Sequence, residues 1–302
     1  HTGQDYLRTP ARNLWRLIVD SDADPELPVD SADNEPCDIR RGEDFLEVRY
    51  EALTAANVLA LDVDFSFRIK DRDTADELAF TARIENREER TVKELWFPML
   101  NGLGVLGDDP ENEVLLYPES AGRQVPNPIE NIADREARPV RGVRPLFIRH
   151  YYPGAASMQW MGLYGDGGSL YFGSHDDTLQ TTALEAGLNM EKRREDDSLH
   201  LWFIKYPFVS NDVWESEPFV LGVHDRDWHH DARRYRRWTD TYQNHTRPCP
   251  DWVRRMGAMH DIVLLYQHGR INYPYDDIDS LIEAVRAGGM DVLKIRSEKH
   301  TS

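Results

Sequence analysis

The stretch from Leu59 to Lys70 constrains the fold more than any other part of the chain. Leu59, Leu61, Val63, Phe65, Phe67 and Ile69 alternate with Ala60, Asp62, Asp64, Ser66, Arg68 and Lys70. Strict alternation places every apolar side chain on one face of an extended segment, so this is a long half-buried strand that needs a second layer over that face. A polar break, Asp71–Asp76, follows, and Leu78, Phe80, Ala82 and Ile84 then alternate again up to Asn86. The two stretches are expected to pair as antiparallel neighbours. Residues 46–50, 114–117, 146–151, 158–164, 169–173, 199–204 and 219–223 read as further strands, with a turn at Gly165-Asp-Gly-Gly168. Many short strands with few helices predict a sandwich or barrel.

The pattern changes near residue 225. Trp228, Ala232, Tyr235, Trp238 and Tyr242 share one helical face, with Asp225 or Asp227 available to cap its start. Pro248-Cys-Pro250 then punctuates the chain. This predicts a β domain over residues 1–247, ending in an amphipathic helix, and a different unit over 248–302. In the latter, Ile262–Leu265 reads as a strand. Ile278, Leu281, Ile282 and Val285 mark a helix that ends at Gly288-Gly289, and Met290–Ile295 reads as a second strand. Strand, helix, strand at this spacing is a βαβ unit with parallel strands. A full eight-stranded barrel takes ~250 residues, so the expectation is an incomplete barrel start.

Composition narrows the function classes. Asp and Glu total 54 against 36 Lys and Arg, a net charge of −18, which disfavours nucleic acid as a partner. No apolar run approaches the ~18 residues of a membrane helix, so no membrane partner is expected, and the cytoplasm is favoured over secretion. Only six residues are Lys; an acidic, lysine-poor surface suits concentrated salt, and Arg-rich usage also follows from a GC-rich genome. Cys37 and Cys249 stand far apart, as two ordinary thiols or one disulfide, and form no metal-ligand spacing. Asp225-Arg-Asp-Trp-His-His-Asp231 is a helix start rather than a metal site, because adjacent histidines on a helix diverge. Nucleotide-binding, zinc-protease and serine-hydrolase motifs are absent, and no cofactor or metal is called for.

Ile84-Glu-Asn86 followed by Val92-Lys-Glu-Leu-Trp-Phe-Pro98, Tyr152–Met161 running on to Leu170–Asp176, and Gly222 through Asp227-Trp-His229 to Tyr235-Arg-Arg-Trp238 carry a family resemblance. The opening Thr2–Leu7 adds to it. The chain resembles glycosidase-like proteins of a domain-of-unknown-function family, in which an N-terminal galactose-mutarotase-like β-supersandwich precedes a (β/α)8 barrel. The resemblance spans nearly the whole chain, and residues 252–295 look like the first strand, helix and second strand of that barrel. It implies a mainly β fold and a carbohydrate, oligo- or polysaccharide, as partner. Barrel glycosidases use two carboxylates at strand ends, usually past the second strand. Those carboxylates are expected beyond residue 302, so this chain alone is expected not to hydrolyse glycosides.

Two groups of candidate binding residues follow. Loops after the first barrel strand line the active site in such barrels, which singles out Gln267, His268, Tyr275 and Asp277, against a plain polar loop and helix cap. His175 with Asp176 could serve as the acid and base of a mutarotase-like epimerase, against a polar strand end. Trp160, Trp202 and the pair Tyr151-Tyr152 could stack on sugars or fill a core. A non-catalytic sugar-binding or assembly module is the alternative to an enzyme fragment.

Overall fold

The computed structural model describes residues 13–20, 26–55, 59–72, 76–132, 146–189, 197–242, 249–265 and 270–296. Two compact units divide the chain, residues 1–242 and 243–302. In the first, the strands are β1 (Arg16–Val19), β2 (Leu27–Asp30), β3 (Asp38–Arg41), β4 (Phe45–Tyr50), β5 (Thr54–Ala55), β6 (Leu59–Ala60), β7 (Val63–Asp71), β8 (Glu77–Asn86) and β9 (Val92–Leu103). They continue as β10 (Val114–Tyr117), β11 (Arg123–Pro126), β12 (Phe147–Tyr152), β13 (Trp160–Gly165), β14 (Gly168–Ser174), β15 (Thr182–Asn189), β16 (Ser198–Lys205), β17 (Asp212–Glu215) and β18 (Phe219–His224). The helices are α1 (Pro128–Asn131) and α2 (Trp228–Tyr242).

These strands form two antiparallel sheets. The smaller runs β12-β15-β16-β9-β1-β2; the larger runs β11-β10-β13-β14-β18-β8-β7-β4-β3, with β17 beside β8. The first unit is therefore mainly β and antiparallel, as its alternation requires. The long strand expected over Leu59–Lys70 breaks at Leu61-Asp62. Leu59-Ala60 turns aside to pair with β5, the Leu61 amide donates to the Leu53 carbonyl, and the Asp62 amide donates to Glu88 Oε1. Beyond the break β7 pairs with β8 over nine residues, Val63 opposite Asn86 to Asp71 opposite Leu78. Gly165 opposite Gly168 closes the β13–β14 hairpin around Asp166-Gly167, the dipeptide type that a tight hairpin favours.

The core lies between the sheets. Phe97 of β9 reaches from the smaller sheet among Phe65, Phe67, Phe80 and Phe219 of the larger one, at ring separations of 5.5–6.4 Å. Phe203 of β16 does the same between Phe172 (4.6 Å) and Phe219 (5.4 Å). Such tilted and edge-on contacts add to the stabilisation from burial itself.

Helix α2 covers the outer face of the larger sheet. Tyr235 packs with Trp160, Tyr171 and Val220, and Ala232 and Trp238 lie against them. Asp227 caps the helix by accepting the His229 amide (3.1 Å). Buried Arg234 pairs with Glu77 (2.8 Å) and Asp76 (3.0 Å) and lies over the Tyr171 ring. A Cβ at Gly222 would sit 1.9 Å from Arg234 Nη1, so only glycine leaves room for this guanidinium. Buried Asp231 accepts from His224 at 2.6 Å. Among the described residues no group of His, Cys, Asp or Glu could hold a metal ion, and no helix is long and apolar enough to cross a membrane. Cys37 and Cys249 are free, exposed thiols.

The second unit contains α3 (Asp251–Arg255), β19 (Met259–Val263), α4 (Ile278–Ala287) and β20 (Val292–Arg296). β19 and β20 pair in parallel, Met259 opposite Val292 to Val263 opposite Arg296, as a strand–helix–strand unit demands. Its only deeply buried hydrophobic residues among those described are Ile262 and Leu264, and Ile282 and Ile295 stay about 40% exposed.

Two outcomes follow from these packing differences. Phe97→Ala should lower the urea-unfolding free energy of the sandwich by about 3–5 kcal/mol, the usual cost of a large aromatic cavity, whereas Val213→Ala, on an exposed strand, should change it by less than ~1 kcal/mol. In hydrogen exchange, amides of β19 and β20 should lose protection well before those of β9 and β16; equal protection would contradict the shallow burial of the second unit.

Candidate functional site

With Leu199, Leu201 and Phe203 turned into the core, the period of the strand turns His200, Trp202 and Ile204 to the opposite face of the smaller sheet. The register carries that outward face across the sheet. One row runs Tyr151, Ala183, Ile204, Trp96, Arg16, Asp30 through six strands. A second runs Arg149, Glu185, Trp202. A third runs Phe147, Gly187, His200.

A fixed polar strip results. Glu185 is 2% exposed, and its two oxygens take different partners: Arg149 Nε at 2.5 Å and His200 Nε2 at 3.1 Å. His200 Nδ1 meets Asn189 Oδ1 at 3.1 Å, and its ring stacks on Trp202 at 3.9 Å. Gly187 makes this possible, because a Cβ there would meet His200 and Phe147 at 2.6 Å. Trp202 donates to Asn101 Oδ1 (3.0 Å) and Trp96 donates to Glu94 Oε2 (2.7 Å). The Trp96 ring lies 5.5 Å from Trp202 and takes the Arg149 and Arg16 guanidinium groups within 5.5 Å of its centroid. Arg16 in turn forms a two-point bond with Asp30, at 2.6 and 2.9 Å, and that bond raises its pKa.

Exposed rings flank the strip. Phe147 is 41% and Tyr151 46% exposed. Tyr151 lies 6.0 Å from Tyr206, which lies 6.5 Å from Phe208. Burial pushes the Tyr206 phenol up, with the Tyr151 hydroxyl next in effect. Phe208 is 62% exposed at φ 48°, and Leu179, whose neighbour Gln180 donates to the Tyr206 carbonyl, is 52% exposed at φ 59°. Bulky residues in this left-handed region cost about 1–3 kcal/mol each, so the fold holds apolar side chains outward under strain. Chemically, the face offers oriented N–H and O–H groups between aromatic rings. Its one acid–base pair, Glu185–His200, is already committed to Arg149 and Asn189.

The residues singled out in the sequence fall in four places. His175 is buried, its ring stacked on Trp238 at 4.6 Å and its Nε2 2.9 Å from the Tyr171 hydroxyl; burial, reinforced by Arg72 and Arg234, lowers its pKa to about 3. Asp176 turns to a different set of partners: Lys205 Nζ at 2.5 Å, and the Thr178 amide and hydroxyl. Lys205 is fully buried, and that burial pulls its ammonium pKa down against the pull of Asp176. Tyr275 is 75% exposed, and Asp277 stands at the N-cap of α4, its carbonyl accepting from Ser280. Gln267 and His268 lie outside the described residues. The aromatic candidates separate: Trp160 is core, while Trp202 and Tyr151 belong to the outward face.

Sequence patterning missed Glu185, Arg149 and Trp96 as a group. β15 is buried on both faces over seven of its eight residues, so Thr182-Ala-Leu-Glu-Ala-Gly-Leu-Asn189 shows no alternation. The available signal was in β16, where His200 and Trp202 interrupt Leu199, Leu201 and Phe203.

No family model and no curated protein matches the chain. Solved structures do. An α-N-acetylgalactosaminidase from Bifidobacterium bifidum, in complex with GalNAc, superposes with a TM-score of 0.56 at 11% identity, covering 94% of this chain and 46% of that one. The galactosidase domain of an α-galactosidase–sucrose kinase aligns at TM-score 0.44 and 12% identity, over 92% of this chain and 38% of that one. A candidate aldose 1-epimerase from Escherichia coli K12 aligns at 0.40 and 12%, over 64% and 69%. The chain thus spans about half the length of the first of these. At such identity the likeness bears on fold alone, and that fold is an antiparallel β-sandwich.

The buried imidazole sets a pH dependence. Between about 3 and the ordinary 6.5 the unfolded chain binds the proton that folded His175 refuses, so stability falls as pH falls through that window. Relative to His175→Gln, the wild type should lose about 2 kcal/mol of unfolding free energy from pH 7 to 4.5, measured by urea titration at both values. A constant difference would mean that the ring is open to water.

Proposed function

We propose that this chain is the N-terminal part of a carbohydrate-active protein, and that the outward face of its six-stranded sheet binds carbohydrate. The observation that carries this proposal is the strip Arg149–Glu185–His200–Trp202, flanked by the exposed rings of Phe147 and Tyr151. Sugars present an apolar ring face and an equatorial rim of hydroxyls. Aromatic rings beside immobilised hydrogen-bonding groups match both. Arg149 has five N–H donors in a planar fork, of which Nε is held by Glu185. The glycosidase with a sugar complex among the structural neighbours supports the same class of ligand. In this proposal residues 248–302 begin a (β/α) barrel whose catalytic carboxylates lie outside this chain, and Gln267, His268, Tyr275 and Asp277 follow its first strand, where barrel loops meet substrate.

A mutarotase-like activity is the second possibility, favoured by one observation, the Glu185–His200 pair at 3.1 Å. It requires a free base beside the sugar, and Glu185 is held by Arg149 instead. An optical-rotation assay on α-galactose and α-glucose should give no acceleration over the buffer rate; acceleration lost in Glu185→Gln would establish the epimerase instead.

The binding proposal predicts that a panel of neutral and acidic oligosaccharides contains a ligand detectable by calorimetry. Tyr151→Ala should weaken that ligand at least tenfold while leaving the unfolding midpoint unchanged, because the ring is half exposed. Undiminished binding in Tyr151→Ala would place the ligand elsewhere.

A further inference from the structure

The exposed aromatics of the outward face form a path, not a point. Phe147 and Tyr151 lie four residues apart on β12, about 13 Å along a strand that rises ~3.3 Å per residue. Tyr151 hands on to Tyr206 at 6.0 Å and Tyr206 to Phe208 at 6.5 Å. A single pyranose ring is too short to touch both ends. The path is also electrically closed. Although the chain carries −18 overall, each arginine among the described residues of this face has its own carboxylate, Arg149 with Glu185 and Arg16 with Asp30. Glu94, bonded to Trp96, adds a negative charge. Among the described residues of this face no surplus positive charge remains to receive a uronate or a sulfate, so their charge complementarity selects an uncharged ligand.

We infer that the ligand of this face is an extended neutral oligosaccharide, several sugar rings long, lying along β12 from Phe147 past Tyr151 and ending at Tyr206 and Phe208. The inference rests on the carbohydrate-binding proposal above and goes further by fixing the ligand's length and charge. Stacking on rings strung along a strand gives affinity that grows with the number of rings covered. The polar strip beneath supplies hydrogen bonds from Arg149 to hydroxyls of the central units. Phe208, held outward at φ 48°, is the far stop of the path.

The experiment is a length series. Neutral gluco- and galacto-oligosaccharides of one to six units, α- and β-linked, and oligogalacturonates of the same lengths are titrated by calorimetry into the full chain and into Phe208→Ala and Tyr206→Ala. The expected result is binding of a neutral series with affinity rising at least tenfold from one to four units. Phe208→Ala should then lower affinity at least fivefold for the longer members only, leaving the shortest unchanged. Phe208 is largely exposed, so its variant keeps the fold, and an unchanged unfolding midpoint confirms this. Binding that is independent of length, or stronger for the galacturonates, overturns the extended neutral ligand while leaving the carbohydrate-binding proposal standing. No binding to any member overturns both.

Discussion

Two phenylalanines from the smaller sheet reach into the larger one, and the rest of the sandwich is arranged around them. Phe97 enters a ring of four phenylalanines and Phe203 enters a pair. Because side chains alternate along a strand, a slip of one residue in β9 or β16 would turn these rings outward and bring Trp96 or His200 in. The core therefore fixes register. Register in turn sets the rows that place Trp96 beside Arg16 and Glu185 between Arg149 and Trp202. The outward face is ordered by contacts made on its other side.

Charge does a different job elsewhere. Lys205 points to the same inner side as Phe203, but at the end of the strand, where it meets Asp176 and Thr182 at 2.5 Å. Arg234 and Asp231 join α2 to the outer face of the larger sheet through Glu77, Asp76 and His224. Both clusters are buried and paired, and removing one partner from either would leave an uncompensated charge. They tie the hairpin end and the helix to particular places on the sandwich, which apolar packing alone would specify less sharply. His175, next to Asp176 in sequence, is neutral and stacks on Trp238 of α2, so it joins the end of β14 to the helix without a charge.

Much of this architecture could be read from residue order. Strands with one wet face, such as β7 and β8, declared themselves by alternation, and α2 by Trp228, Ala232, Tyr235, Trp238 and Tyr242. The hairpin at Asp166-Gly167 was equally plain. What escaped was set by tertiary context. β15 shows no alternation because both its faces are buried. The break at Leu61-Asp62 depends on Glu88 and Leu53, which no local pattern reveals. The candidate face was half legible: Tyr151 and Trp202 stood out as aromatics, while Glu185 and Arg149 became meaningful only once strand order set them opposite each other.

The division of each strand between an inner and an outer set of side chains has an evolutionary consequence. Phe147 and Tyr151 on β12, and Phe208 beyond the end of β16, meet solvent and stand outside the packed core between the sheets. Exchanging Phe147, Tyr151 or Phe208 for other side chains would redraw the surface presented to a ligand without disturbing the two inserted phenylalanines. A lineage could thus retune what this scaffold recognises by changing a few codons, each step leaving a folded protein for selection to act on.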